Sequence, residues 1–252
     1  KPSDGKPQPP FALPNLDESI VIDGAPGRYR FVSTFEEGAA PAGGESEFHV
    51  ADPLPAPATP LEITVWGDDP ALVRWLNDRG LRTRPFSASA QTAREIILAG
   101  LQPPAPGGAA AFRDLARHLA RGSAAAFLAP EVFNAPGRAS AWLPLKNKGA
   151  LRGLNVWLYR KDEWAKAHPS CAGLPTGMLD YTYYREIIPD RAWSGLDTPA
   201  EAVCGANDAS FDYSSGLMVS VHRLGAGCFV LNTLRLLEHL GHHPAADRLV
   251  WN

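Results

Sequence analysis

Leu61-Glu62-Ile63-Thr64-Val65-Trp66-Gly67-Asp68-Asp69-Pro70-Ala71-Leu72-Val73-Arg74-Trp75-Leu76 holds a strand, a turn and the start of a helix. Leu61–Trp66 is apolar and β-branched, as a buried strand requires, and Gly67-Asp68-Asp69-Pro70 closes it. Asp69 can accept a backbone N–H as N-cap, and Pro70 suits the first helical position, where its missing N–H costs nothing. Ala71, Leu72, Trp75 and Leu76 then recur at helical spacing, and Gly80 ends the run. A strand feeding a helix across a short turn is the repeating unit of a parallel sheet.

Downstream the alternation continues. Leu81–Phe86 and Glu95–Ala99 read as strands, Ala109–Arg121 as a helix stopped by Gly122, and Ala124–Leu128 as a small-residue strand. Leu154–Tyr159 is a further strand, with Asp162–His168 expected to be helical after it. Gly216–Arg223 and Gly227–Asn232 flank Leu224-Gly225-Ala226 as a hairpin, and Thr233–Leu240 and Ala245–Val250 read as helices. Near-continuous apolar strands alternating with helices predict a three-layer α/β domain over residues 61–252, its sheet parallel and covered on both faces.

Upstream the composition changes. Of 24 prolines, 11 lie in the first 60 residues. Residues 1–14 form a polar, Pro-rich arm expected to be disordered. Residues 15–51 contain three strand candidates, at Ile20-Val21-Ile22, Arg28–Phe35 and Glu45–Val50, a β segment that buries too little to stand alone. Residues 52–60, Asp52-Pro53-Leu54-Pro55-Ala56-Pro57-Ala58-Thr59-Pro60, read as a stiff linker. The chain starts at Lys1 without Met or a signal segment, which predicts a piece cut from a longer polypeptide.

With 252 residues, 45% hydrophobic and 20% charged, there is enough apolar chain for a sizeable core. A net charge of −3 with no Lys/Arg block argues against nucleic acid or an anionic membrane surface as partner. Three cysteines, Cys171, Cys204 and Cys228, are too few and odd in number for a disulfide scaffold, and are expected to be buried or incidental thiols. His239-Leu240-Gly241-His242-His243 lacks an accompanying carboxylate motif and reads as a helix end, so neither metal nor cofactor is expected.

Ligands of open α/β sheets bind beyond the carboxyl ends of the strands. That rule makes Asp68, Glu131, Asn232 and Arg235 the candidate crevice residues. A hydrolase or amidotransferase of this layout needs a Ser or Cys at a sharp strand-to-helix turn, which pushes the nucleophile toward substrate. The turn after Ala124–Leu128 carries Ala129-Pro130-Glu131 instead, so no catalytic residue is assigned. Acid–base work by Glu131 with Asp68 is the enzymatic alternative. A second cluster, Asp180-Tyr181-Thr182-Tyr183-Tyr184-Arg185-Glu186, is dense in aromatic and polar groups. Tyr181, Tyr183, Tyr184, Trp142, Trp164 and Trp193, together with Trp157, are candidate sugar or interface contacts. The stretch from Trp142 to Trp193, too long for a plain connection, is the expected interaction surface.

Ala126-Phe127-Leu128-Ala129-Pro130-Glu131-Val132-Phe133 and Trp142-Leu143-Pro144-Leu145-Lys146-Asn147-Lys148-Gly149 resemble the C-terminal region of large bacterial glycoside hydrolase family 2, sugar-binding, proteins. The resemblance extends to Tyr159–Pro169, Asp180–Glu186 and Tyr213–Arg235, and Pro26–Phe31 resembles the end of the β-sandwich preceding that region. More distantly, His168-Pro169, Gly173-Leu174-Pro175 and Gly225-Ala226-Gly227 are similar to the trehalose-utilisation (ThuA-like) branch of the class I glutamine-amidotransferase fold. That resemblance implies a flavodoxin-like domain lacking the catalytic Cys. Together they imply a non-catalytic accessory module of a periplasmic or secreted carbohydrate-active enzyme. Its expected partners are other domains of the parent or a second copy, with carbohydrate as a further ligand. A family 2 barrel with its two glutamates does not fit within this chain.

Overall fold

The computed structural model describes residues 18–34, 43–57, 60–89, 94–105, 107–136, 138, 140–154, 161–179, 181–208 and 214–252. In chain order the elements are β1 (Gly27–Ser33), β2 (Gly44–Val50), β3 (Glu62–Trp66), α1 (Pro70–Asp78), β4 (Arg82–Pro85), β5 (Ile96–Ala99), α2 (Gly108–Ala120) and β6 (Ala124–Phe127). There follow β7 (Lys148–Gly153), β8 (Lys161–Ala165), β9 (Gly177–Met178), α3 (Tyr181–Tyr184) and β10 (Arg191–Leu196). The last are β11 (Glu201–Asp208), β12 (Ser214–Leu224), β13 (Gly227–Asn232), α4 (Leu236–His239) and α5 (Pro244–Trp251).

The architecture is mixed α/β, with a large mixed sheet and few helices. Its strands run in the order β4-β3-β5-β6-β13-β12-β11-β8-β9, and β10 joins the sheet by pairing with β12 and β7. From β4 to β13 all pairings are parallel. From β13 onward they are antiparallel, beginning with the β12–β13 hairpin. β1 and β2 form a separate antiparallel pair.

The first βα unit forms as its residues require. Asp69 Oδ1 accepts the Leu72 N–H at 3.0 Å, and Leu72, Trp75 and Leu76 are buried one helical turn apart. Strand alternation sends Ile63 and Val65 into a core with these α1 residues and with Ala245 and Ala246 of α5. Trp66 enters the other core, with Phe112, Leu115 and Leu119 of α2 and with Ile97, Phe127, Phe229 and Leu231. Each such side chain contributes roughly 1.5–3 kcal/mol by leaving water. Asp247 ties α5 to α1, accepting the Trp75 indole N–H at 3.0 Å and pairing with Arg79 at 2.8 Å.

Five expectations need correction. The sheet is parallel only in its first half, because the segments after β6 return through hairpins rather than crossover helices. Asp162–His168 is not helical. β8 takes Lys161–Ala165 into the sheet, where a Cβ on Gly205 would sit 2.6 Å from the Trp164 ring, so the glycine makes room for the indole and ladder pairing overrides a helix-like composition. The stretch from Trp142 to Trp193 is no excursion, since it supplies β7, β8, β9 and β10. Ile20-Val21-Ile22 forms no strand. Tyr29 donates its hydroxyl to Ala25 O at 2.6 Å, which holds the preceding turn against its own ring. Thr233–Leu240 is helical only over Leu236–His239, because the Asn232 side chain holds Leu234 in a turn by bonding both its N–H and its C=O. The arm at residues 1–14 and residues 155–160 of the expected strand lie outside the described residues.

Candidate functional site

A crevice of about 730 Å³ opens at the carboxyl ends of β3, β6 and β13, with Asp69, Glu131, Asp190, Arg191, Thr233 and Arg235 among its lining residues. Two glycines let the chain close up here. A Cβ on Gly100 would meet Asp69 Oδ2 at 2.5 Å, and one on Gly67, at φ 105°, would meet Gln102 O at 2.0 Å. Pro130–Phe133 is a 3₁₀ turn that buries Val132 and Phe133 and leaves Glu131 exposed at the crevice.

Of the four expected crevice residues, Glu131 and Arg235 line the cavity, whereas Asp68 does not and its neighbour Asp69 takes the place. Asp69 is committed to capping α1. Asn232 is buried beneath the crevice. Its amide donates to Leu128 O and Leu234 O, both at 2.8 Å, and its Oδ1 accepts the Leu234 N–H at 3.1 Å, so it fastens the end of β13 to the end of β6. Arg235 forms an ion pair with Asp190. The crevice thus has mixed walls, leucines beside polar groups, and several of the polar groups are already bonded.

The six aromatic candidates do not form one common surface, although Tyr183 and Tyr184 meet edge-on at 5.2 Å. Trp193 is 1% exposed, inside the core on the α2 side, edge-on to Phe133. Trp142 stacks on Phe112 at 6.1 Å. Trp164 lies over Gly205 in the sheet. Tyr184 is buried and donates its hydroxyl to Pro175 O at 2.6 Å. Tyr183 meets His49 of β2 edge-on at 4.7 Å, and burial raises its phenol pKa above the ordinary value. Tyr181 alone of the six is strongly exposed, at 60%. It lines a second depression of about 470 Å³ with Ser46, Glu47, Thr182, Arg185, Glu186 and His243.

Cys171 and Cys204 are buried, and burial pushes both thiols up, away from the reactive thiolate. His243 caps α5 by accepting the Ala245 N–H at 3.2 Å. Burial depresses the pKa of His243 and, in the sheet, that of His222, whose ring stacks on Phe229 at 5.2 Å.

Sequence reasoning missed a buried ionic group. Glu95, just before β5, accepts from Arg84 of β4 and lies 3.0 Å from His118 Nδ1 of α2, and Arg84 also reaches Glu62 at 2.8 Å. Burial pushes the Glu95 carboxyl upward, but the hydrogen bond and charge of Arg84, followed by those of His118, outweigh it and hold the carboxyl below its ordinary range. The available signal was Arg84 within a strand and Glu95 at the mouth of the next. β3 lies between those two strands, and the long Arg84 side chain reaches across it past Glu62 to Glu95.

No family model matches the chain, and no curated protein does. Among solved structures it resembles the exo-β-1,4-mannosidase of Opitutaceae bacterium strain TAV5, with 14% identity over 76% of this chain and 35% of that one, at a TM-score of 0.43. It also resembles the GH42 β-galactosidase of G. stearothermophilus, in its catalytic-mutant form, with 12% identity over 70% and 28%, at 0.42. The cytoplasmic protein STM3548 of Salmonella typhimurium matches with 9% identity over 89% and 94%, at 0.41. The chain therefore spans about a third or less of the glycosidases it resembles, and the likeness to all three is a distant one of fold.

Proposed function

We propose that this chain is a non-catalytic accessory module of a carbohydrate-active enzyme, acting by docking to the parent's other domains or by self-association. Its parallel half is a flavodoxin-like unit on this reading. Counted along the chain, β4-β3-β5-β6-β13 follows the order 2-1-3-4-5, which supports it. The β1–β2 pair is then the last part of a sandwich whose remainder lies in the parent.

One observation carries the non-catalytic reading. The turn after β6, where hydrolases and amidotransferases of such layout present a Ser or Cys, is the Pro130–Phe133 turn, and the side chain it offers to the crevice is the Glu131 carboxylate. The nearby Asp190–Arg235 pair and Asn232 are engaged in holding the crevice walls. The docking reading draws on the exposed apolar side chains of the N-terminal region, Phe31 and Val32 of β1 and Ile20, Val21 and Ile22 before it.

The test uses the chain as it is. Purified protein is assayed on nitrophenyl glycosides and on glutamine, with no turnover expected. A turnover that disappears in Glu131→Gln would overturn the non-catalytic reading. Sedimentation over a concentration series, alone and with the parent's upstream domains, is expected to show association. A clean monomer that also ignores those domains would overturn the docking reading.

A further inference from the structure

We propose that the depression between β2 and α3 is a binding subsite for a neutral pyranose, with Tyr181 as its stacking wall. The geometry begins with the way the hairpin docks. His49 of β2 meets Tyr183 edge-on at 4.7 Å, which brings Ser46 and Glu47 opposite the start of α3. Tyr183 and Tyr184 are thereby committed to packing, while Tyr181 remains 60% exposed on the wall of a cavity of about 470 Å³. A tyrosine 60% exposed with polar neighbours on one side is poor packing but a good platform for the C–H face of a sugar.

The remaining walls select the ligand class. Glu47 and Glu186 are acceptors, Arg185 is a donor, and Ser46 is both. Arg185 forms no ion pair among the described residues, so its guanidinium is available, whereas Glu47 is paired with Arg28 and Glu186 lies 3.9 Å from His239 Nδ1. His243 takes the Ala245 N–H on Nδ1, which places the proton of the neutral ring on Nε2 and makes it a further donor. Burial holds that ring neutral at neutral pH. A sugar hydroxyl donates and accepts at once, so it is matched by carboxylates and cationic donors set side by side. An anion is poorly matched, because Glu47 is already paired with Arg28, Arg185 and Glu186 balance each other, and the histidine is uncharged. An apolar ligand would strand the charged groups without water.

This inference stands apart from the accessory reading, whose tests read turnover and sedimentation. Here the whole chain is titrated with the methyl glycosides of mannose, galactose and glucose, and with glucuronate, by saturation-transfer NMR and calorimetry. Saturable binding of at least one neutral glycoside is expected, with transfer strongest to the protons on one ring face. Tyr181→Ala should weaken it by about tenfold or more while the far-ultraviolet dichroism stays unchanged, as suits an exposed side chain. Glu186→Gln should weaken the neutral sugar and favour glucuronate. The proposal is overturned if none of the neutral glycosides saturates, if Tyr181→Ala binds like the parent, or if glucuronate is the preferred ligand of the unaltered chain.

Discussion

Strand alternation has opposite consequences in the two β regions of this molecule. In β3, Ile63 and Val65 enter one core and Trp66 the other, so both faces of the strand are covered. In the β1–β2 pair, one set of residues reaches the domain through His49, while Tyr29 stacks on Phe48 at 5.6 Å and Phe31 stays exposed. Cross-strand pairs Arg28–Glu47 and Arg30–Glu45 lie on the surface, where such pairs contribute about 0–1 kcal/mol. The hairpin is further secured by Arg248 of α5, which donates to Asp52 O and Pro53 O at 3.1 Å. Period-two patterning thus tells which residues share a face. It does not tell whether anything covers that face, and a two-stranded pair depends on what it leans on.

The contrast is sharpened most by Phe127→Ala. Phe127 touches Phe133 at 4.7 Å and Trp66 and Phe229 at slightly above 6 Å, so truncation leaves a cavity among rings that cannot collapse. A loss of about 3–5 kcal/mol in urea unfolding is expected. A loss below about 1 kcal/mol would mean the α2 side of the sheet is not a packed core.

Glu95→Gln comes next, with a loss of about 3 kcal/mol at neutral pH, because Arg84 and His118 lose the charge they enclose. The same group sets a pH dependence. Its folded-state pKa lies below the ordinary value of 4.5, so its stabilisation is complete above that value and is lost as pH falls through the folded pKa. Acid unfolding monitored by tryptophan fluorescence should show this loss in the parent and lack it in Glu95→Gln. An equally steep acid transition in the variant would assign the dependence elsewhere. His222 and His243, depressed below 6.5 by burial, add a milder loss that begins as pH falls past that value.

Asp69→Ala removes one helix cap and should cost about 1 kcal/mol, with Asp69→Asn recovering most of it. Smallest of all is Phe31→Ser, within about 0.5 kcal/mol for unfolding of the large sheet, yet expected to reduce self-association or docking. If Phe31→Ser instead lowers the stability of the sheet as Phe127→Ala does, the two β regions are one cooperative unit and the contrast fails.

Local signals made much of the parallel half, and the hairpin that adjoins it, readable. Asp69-Pro70 announced α1, Gly122 stopped α2, and the Leu224-Gly225-Ala226 turn announced the β12–β13 hairpin. The segment from Lys148 to Leu196 was misread because its strands are short and rich in charge, with a Trp in β8 and in β10, and are held in place by partners far along the chain. The crevice was legible in Glu131 and Arg235, since strand ends can be placed from the strands alone. The Asp190–Arg235 pair and the Tyr181 depression were not, because each needs two segments that sequence spacing does not bring together.

The position of β13 has a consequence for how the molecule is made. β13 lies between β6, its parallel neighbour, and β12, its antiparallel one, so a strand made after both of its neighbours is the seam between the two halves of the sheet. While a ribosome is still delivering residues 227–232, the earlier strands can pair on either side, but β6 and β12 each present an unfilled row of N–H and C=O groups. The nascent chain therefore keeps both of these edges open until residues 227–232 emerge, and it closes them with a single strand.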